Sequence, residues 1–434
     1  MTKKFRDWSP EQSFLLPPSV QDFVPAEHIS HFIRDLVKEE LDLGVILNEY
    51  PEERGYPPYD PRMMTAILLY SYSQGIYSSR KIARACAERL DFMAVSAMNQ
   101  PDYRTVSKFR KRHLSALGGL FVQVLNLCKQ AGLVKLGHVA LDGSKVKANA
   151  SKRRSKSYSH LRAQERVLRE EVSSWFTKAD AVDAQEDELY GQESNGDEIP
   201  EWMGNKALRL QRIREARKSL ENKDRKERED REKAEKKGKK PPSKAKKRDK
   251  PTDSRKYNFT DPDSEMLKTR DGFIQGYNTQ VAVDIESYVI VSSDVCNARN
   301  DLDQLIPTLD QIENNLGKKA RELSADAGYC SEENLKELQM RKVRGYIALG
   351  SGPPGEREKR IEPHSLVYQM SQRLKRGGKR SRYRFRKMTV EPVFGVIKSA
   401  RGFQQFFLRG LQEVKNEWLM VCTAHNLHKL AAAR

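Results

Sequence analysis

The sequence predicts an α/β protein with a mixed sheet covered by helices, preceded by an all-helical unit and interrupted by a long charged insertion. Apolar residues recur at helical spacing through the first third of the chain. From residue 138 onward, segments rich in β-branched residues with a period of two alternate with helical segments. Between them, residues 211–250 hold 19 Lys and Arg against 9 Asp and Glu, a composition typical of solvated chain rather than core.

The composition excludes several classes of protein. The 434 residues carry a net charge of +19 with a mean hydropathy of −0.76, and the longest apolar stretches, such as 63–70, are far shorter than the roughly 18 residues of a membrane span. The charged N-terminus shows no secretory signal, so we expect a cytoplasmic protein. Five scattered cysteines without a Cys-x-x-Cys pair argue against a disulfide framework and a structural zinc site.

The N-terminal third is predicted to be helical and to contact DNA. Helices are expected at 61–74, 79–89, 102–112 and 116–130. The helix at 102–112 starts with the capping residue Asp102, is basic, and follows another helix and a turn, as in a helix-turn-helix reader of the major groove. Arg104, Lys108 and Arg110 are its candidate DNA contacts, and an ordinary solvated basic face is the alternative.

The remaining elements follow in the order of a mixed sheet. A strand is expected at 138–150, a hairpin at 273–283 and 288–293, a helix at 302–316, a strand ending at Asp326, a helix at 333–342, a strand at 345–349, and then further helices. A hairpin that continues as β-α-β-α-β gives a sheet with helices to cover it. We therefore divide the chain into a helical N-terminal DNA-binding domain (1–135), the first core strand (136–150), the charged insertion (151–265) and the rest of the core (266–434).

The insertion has two parts of different charge pattern. Opposite charges four residues apart predict a solvated helix up to about residue 236. The tract that follows is almost purely basic and is broken by Gly238 and by Pro241 and Pro242, which predicts disorder. Contact with a polyanion and a spacer without a partner both remain open for this tract.

Three carboxylates are the candidate chemical groups. Asp142 and Asp326 each follow an apolar strand, where open α/β sheets place their sites, although either alone could simply form a turn. Glu391 and Lys398 are seven residues apart, so they share one face of a helix. Three hard oxygen ligands suit Mg²⁺ or Mn²⁺, and two such ions can activate a water and stabilise a leaving 3′ oxygen. No phosphate-binding, esterase or dinucleotide motif competes with this interpretation.

These residues stand in motifs of a known family. The motifs are Leu141-Asp142-Gly143-Ser144-Lys145, Ala325-Asp326-Ala327-Gly328-Tyr329 and Glu391-x6-Lys398. In this order and separation the set resembles the DDE transposases of bacterial insertion sequences, which have an RNase H-like catalytic core. The resemblance extends to the segments 58–70, 276–284 and 424–429 and covers most of the chain outside the insertion.

The resemblance implies a function and a site. Asp142, Asp326 and Glu391 would form a triad that holds two Mg²⁺ or Mn²⁺ ions. Lys398 would contact DNA beside the triad, and the basic residues around the motifs are further candidate DNA contacts: Lys145, Arg384, Arg386 and Lys387. The protein would bind the terminal inverted repeats of its element on double-stranded DNA, cleave there and join the ends to target DNA. It would act on DNA as at least a dimer. We expect it to be cytoplasmic and associated with the nucleoid, with no membrane partner.

One departure from the family pattern and several alternatives accompany this hypothesis. The family spaces a Tyr, an Arg three residues later and the Glu four after that, whereas Glu391 lies five residues beyond Arg386, with Lys387 at the expected Arg position. Pro392 predicts that Glu391 stands at a helix start or a kink, and Glu362 is the next candidate for the third ligand. A related metal-dependent nuclease that cuts without joining and an inactive DNA-binding descendant are the alternative functions. Asn278 and Gln280, on one face of their strand, have either a structural or a site-lining role.

Overall fold

A computed structural model describes residues 19–50, 58–190, 201–236, 251–269, 271–350 and 362–434. Its first part consists of helices: α1 (Ile29–Glu39), α2 (Gly44–Leu47), α3 (Pro61–Ser73), α4 (Ser79–Glu88), α5 (Leu90–Ser96), α6 (Tyr103–Arg112) and α7 (Leu114–Gln130). The predicted capping of α6 is confirmed, because the Asp102 carboxylate accepts hydrogen bonds from the backbone N–H groups of Arg104 and Thr105. The four predicted helices are confirmed within about two residues at each end.

A six-stranded sheet forms the centre of the molecule. Its strands are β1 (His138–Lys147), β4 (Glu265–Thr269), β5 (Gly272–Asp284), β6 (Ile290–Cys296), β7 (Glu322–Ala325) and β8 (Arg344–Ile347). The order is β4-β5-β1-β7-β8, and β6 also pairs with β5. Antiparallel pairing joins β5 to β1, β4 and β6, whereas β1-β7 and β7-β8 are parallel. This is the mixed sheet of an RNase H-like core, with β4 as a strand that the sequence did not predict.

Helices α10 (Leu305–Leu316), α11 (Glu332–Met340), α12 (Leu366–Gly377), α13 (Arg384–Gly395) and α14 (Leu411–Ala431) complete the core. The last of these packs between the sheet and the N-terminal helices α3 and α7. Asn426 on α14 accepts a hydrogen bond from the Ile290 N–H at 2.8 Å and donates one to the Ile290 carbonyl at 2.9 Å. One continuous hydrophobic cluster therefore includes both the N-terminal helices and the sheet.

The insertion forms a helical pair beside the core. Its elements are β2 (Ser155–Ser157), α8 (Tyr158–Tyr190), α9 (Glu201–Lys236) and β3 (Lys256–Asn258), with β2 and β3 paired antiparallel. The two helices share a small apolar cluster of their own, and the buried Glu165 of α8 forms ion pairs with Arg214 and Arg217 of α9. The predicted helix in the first part of the insertion is present. The predicted disordered tract at 237–250 lies outside the described residues.

A buried carboxylate on α14 makes stability dependent on pH. The Glu417 side chain accepts hydrogen bonds from the backbone N–H groups of Phe407 and Leu408. Burial raises the pKa of Glu417 to about 7, although these bonds and the charge of Arg110 oppose the shift. The folded protein therefore keeps a proton that the unfolded chain releases near pH 4.5.

We expect the free energy of unfolding to fall by about 3 kcal/mol as the pH rises from about 4.5 through about 7, because the folded state then carries a buried charge. Denaturant titrations between pH 5 and 8 measure this slope. Glu417→Gln removes this contribution and should make the slope shallower, whereas Glu413→Gln, at an exposed position of the same helix, should leave the slope unchanged. An equal slope in Glu417→Gln would assign the pH dependence to other groups.

Candidate active site

The two aspartates predicted from the motifs lie on neighbouring strands. In the parallel pairing of β1 with β7, Leu141 is opposite Ala325, so Asp142, which lies within β1, is beside Asp326, which directly follows β7. The Asp326 carboxylate caps the short 3₁₀ turn Ala327–Tyr329 by accepting a hydrogen bond from the Gly328 N–H at 2.8 Å. The charge of Asp326 contributes to raising the pKa of Asp142, as expected for close carboxylates.

Asp142 is largely buried, as is the Arg386 side chain beside it. Its side chain is 14% exposed, and burial raises its pKa to about 7, opposed by the guanidinium of Arg386. One carboxylate oxygen accepts the Gly143 N–H at 2.9 Å, and the other accepts Arg386 Nη1 at 2.5 Å. The Arg386 guanidinium thus occupies one of the two carboxylate oxygens of Asp142.

Arg386 also connects Asp142 to Glu391. Both residues belong to α13, and Arg386 Nη2 lies 3.8 Å from Glu391 Oε1. Glu391 is 48% exposed, so its carboxylate remains accessible. Of the two alternatives predicted for Glu391, a helix start or a kink, the helix start is wrong: α13 starts at Arg384 and continues through Pro392, because the rest of the helix and its packing on the sheet tolerate one missing N–H.

Lys398 lies on the other side of Asp142 along β1. It belongs to a π-helical segment, Val396–Ala400, which continues α13. Its Nζ donates hydrogen bonds to Ser144 Oγ at 2.6 Å and to the Lys145 carbonyl at 2.8 Å. Burial lowers the pKa of Lys398 to about 8. Lys398 thus reaches the Asp-Gly-Ser motif, as the motif pairing suggested.

The other predicted DNA contacts have different surroundings. Arg384 and Lys387 are exposed on α13, and Lys145 donates a hydrogen bond to the Lys268 carbonyl at 2.9 Å. In the N-terminal unit Arg104 and Lys108 are exposed on α6. The structure contradicts the prediction for Arg110.

Arg110 points into the N-terminal core and is 7% exposed. Its guanidinium donates hydrogen bonds to the Tyr77 carbonyl at 2.6 Å and to Ser79 Oγ at 3.1 Å. Arg110 was assigned to the DNA surface from charge alone, and charge did not show which face of α6 packs against α4.

The carboxylates form a pair rather than a closed cluster. Within the described ranges, no three His, Cys, Asp or Glu side chains converge closely enough to hold a metal ion. Asp142 and Asp326 are neighbours, and Glu391 is linked to them through Arg386. Glu362, the alternative third ligand, is exposed in the turn ahead of α12. A set of carboxylate oxygens fits Mg²⁺ or Mn²⁺, provided that Arg386 gives up its contact with Asp142.

A further carboxylate at this edge was missed from the sequence. Asp301 follows β6, and its Oδ1 accepts hydrogen bonds from Asn278 Nδ2 and Gln280 Nε2, both at 2.7 Å. The two amides therefore hold the Asp301 carboxylate from buried positions on β5. Their shared face on β5 was the available signal, but Asp301 stands in an irregular segment without a pattern of its own.

Comparison with protein families agrees with this geometry. Residues 18–112 match a family model described as a transposase domain (DUF772), and residues 236–427 match one described as a transposase DDE domain. The chain belongs to the DDE-type transposases of insertion sequences. Asp326, Glu391 and Lys398 of this transposase lie inside the DDE match. Neither match includes residues 113–235, so only its motif and its position beside Asp326 make Asp142 a candidate site residue.

No curated protein and no solved structure gives a significant match to the transposase. Among the described residues, no helix has the length and apolar character to cross a lipid bilayer.

Proposed function

We propose that this transposase binds the ends of its element and catalyses metal-dependent DNA cleavage and strand transfer, with Asp142, Asp326 and Glu391 as the metal-binding carboxylates. The observation that carries the proposal is the in-register parallel pairing of β1 with β7. This pairing places Asp142 and Asp326 side by side at two central strands, beneath α13. We further propose that it acts on chromosomal DNA in the cytoplasm, as a dimer or larger assembly that brings two element ends together.

Each residue of the proposed site would have its own role in the reaction. Two divalent ions bound at such carboxylates would supply an activated water and stabilise the leaving 3′ oxygen. Asp142 and Asp326 would hold the ions from the sheet, and Glu391 would approach from α13. Lys398 holds β1 through Ser144 and would contact the DNA backbone beside the triad.

Arg386 would have two alternative partners. Without ions it is paired with Asp142 and close to Glu391. Once the carboxylates bind cations, the released guanidinium would be free to bind a phosphate of the DNA. Arginine favours phosphate because its planar N–H groups can donate two parallel hydrogen bonds to it. This agrees with the sequence-based assignment of Arg386 as a DNA contact, but only in the metal-bound state.

The first experiment tests metal-dependent cleavage. Purified protein is incubated with supercoiled plasmid carrying the genomic segments that flank the gene, in Mg²⁺, in Mn²⁺ and in EDTA. We expect nicked and linear DNA with either ion and none in EDTA, because in the proposed reaction the divalent ions activate the water and stabilise the leaving oxygen. Recovery of flanking segments joined to a second plasmid would separate transposase chemistry from nuclease chemistry.

Other outcomes select the alternatives. Cleavage without joined products would favour a nuclease on the same fold. DNA binding without cleavage under any metal condition would favour an inactive descendant, in which the basic surface persists after the site is lost. Cleavage that persists in EDTA would contradict the proposed use of the carboxylates.

A further inference from the structure

We infer that Asp301 is a positioning residue that sets the separation of the segments carrying Asp142 and Asp326. The inference rests on the proposed function, since it concerns the same carboxylate pair. Asp301 lies ahead of the 3₁₀ turn Leu302–Gln304, and its side chain does not cap that turn. Instead, the side chain accepts hydrogen bonds from the amides of Asn278 and Gln280 on β5, the strand next to β1.

The carboxylate of Asp301 is held rigidly. Asn278 and Gln280 are 1% and 2% exposed and stand two residues apart on β5, so both amides reach the same side of the sheet. Each donates to the same oxygen of Asp301 at 2.7 Å. Two short hydrogen bonds from buried amides to one oxygen fix the position of this carboxyl group relative to the central strands.

The position of Asp301 explains why glycine follows each aspartate. A Cβ atom at Gly143 would lie 2.7 Å from Asp301 Oδ1 and 2.6 Å from Gln280 Nε2. A Cβ atom at Gly328 would lie 3.0 Å from Asp326 Oδ1 and 3.3 Å from Asp301 Oδ2. Neither glycine has a positive φ, so the backbone conformation does not demand glycine at either place. The missing side chains make room for the Asp301 carboxylate, which lies against both motif segments at once.

A second link connects Asp301 to the Asp326 turn. Gln280 donates to Asp301 through Nε2 and accepts a hydrogen bond from the Tyr329 hydroxyl through Oε1. Tyr329 is fully buried at the end of the turn that Asp326 caps. The chain Asp301, Gln280, Tyr329 thus joins the loop after β6 to the segment after β7. Loss of the Asp301 carboxylate would let both aspartates shift and would weaken their common hold on a cation.

The test measures Mn²⁺ binding without DNA, by electron paramagnetic resonance of free Mn²⁺, together with plasmid nicking. We expect Asp301→Ala to weaken Mn²⁺ binding by about 10- to 100-fold, the usual cost of losing a partner that orients metal ligands. Asp301→Asn keeps an oxygen that can accept from both amides, so it should recover most of that loss. Asp303→Ala, at an exposed position two residues further on, is the matched control and should bind as the wild type does.

A second variant keeps the inference testable if Asp301→Ala does not fold. Gly143→Ala places a methyl group against Asp301 and should weaken Mn²⁺ binding in the wild-type background. In the Asp301→Asn background Gly143→Ala is expected to reduce Mn²⁺ affinity less. The neutral side chain in that background is held less strongly by the amides of Asn278 and Gln280, so it can move away from the added methyl group. Independent, multiplicative losses in this double-mutant cycle would overturn the inference.

Asp142→Asn separates failure of the inference from failure of the proposed function. If Asp142→Asn loses Mn²⁺ binding while Asp301→Ala retains wild-type affinity and nicking, Asp301 does not position the pair and the proposed function stands. If Asp142→Asn itself binds Mn²⁺ normally, the proposed metal site is wrong, and the role of Asp301 at that site is rejected with it.

Discussion

Asp142→Asn is expected to reduce plasmid nicking by at least about 1,000-fold, because the metal-binding carboxylates supply several kcal/mol of transition-state stabilisation. Asp326→Asn and Glu391→Gln should have effects of the same order. The substitutions are nearly isosteric, so the fold and the basic surface should persist. DNA binding, measured by fluorescence anisotropy at fixed salt, should stay within a few fold of the wild-type value.

The control for this series is Asp303→Asn, which removes one exposed negative charge near the same sheet edge. It should cut plasmid at the wild-type rate. Retained nicking in any of the three variants would remove that residue from the triad. Should only Glu391→Gln remain active, Glu362→Gln becomes the next variant, since Glu362 is the alternative third carboxylate on the described chain.

Arg110→Met is expected to lower the free energy of unfolding by about 3 kcal/mol, because buried acceptors lose the donor that satisfies them. Arg110 donates to the Tyr77 carbonyl and to Ser79 Oγ, and its charge lowers the pKa of the buried Glu417 on α14. Without the guanidinium, the acceptors and the glutamate lose their partner at the contact between the N-terminal helices and the core. Denaturant unfolding followed by circular dichroism measures the loss.

Lys108→Ala is the matched substitution on the same helix. Lys108 is exposed, so stability should change by no more than about 0.5 kcal/mol. If α6 contacts DNA, the dependence of log affinity on log salt should become shallower by about one unit in Lys108→Ala. Arg110→Met, measured below its unfolding temperature, should keep the wild-type slope. Normal stability with a shallower slope in Arg110→Met would restore Arg110 to the DNA-binding surface.

Local patterns in the sequence were sufficient for much of the fold. Helical periodicity located the N-terminal helices, and the Asp102 cap placed the start of α6. Alternation along β1 and the β5-β6 hairpin located the central strands. The motif aspartates were found because each follows a short apolar run, although only Asp326 directly follows a strand, whereas Asp142 lies within β1.

Only the tertiary structure decided which charged side chains meet. The sequence predicts Arg386 as a DNA contact but does not show that the approach of α13 to β1 pairs it with Asp142. Arg110 was read as exposed, but the packing of α6 on α4 buries it. Asp301 carried no signal, because its partners Asn278 and Gln280 are more than twenty residues away and the glycines that accommodate it are farther still. Periodicity and capping act over a few residues and can be read along the chain, whereas ion pairs and close contacts depend on how distant elements are brought together.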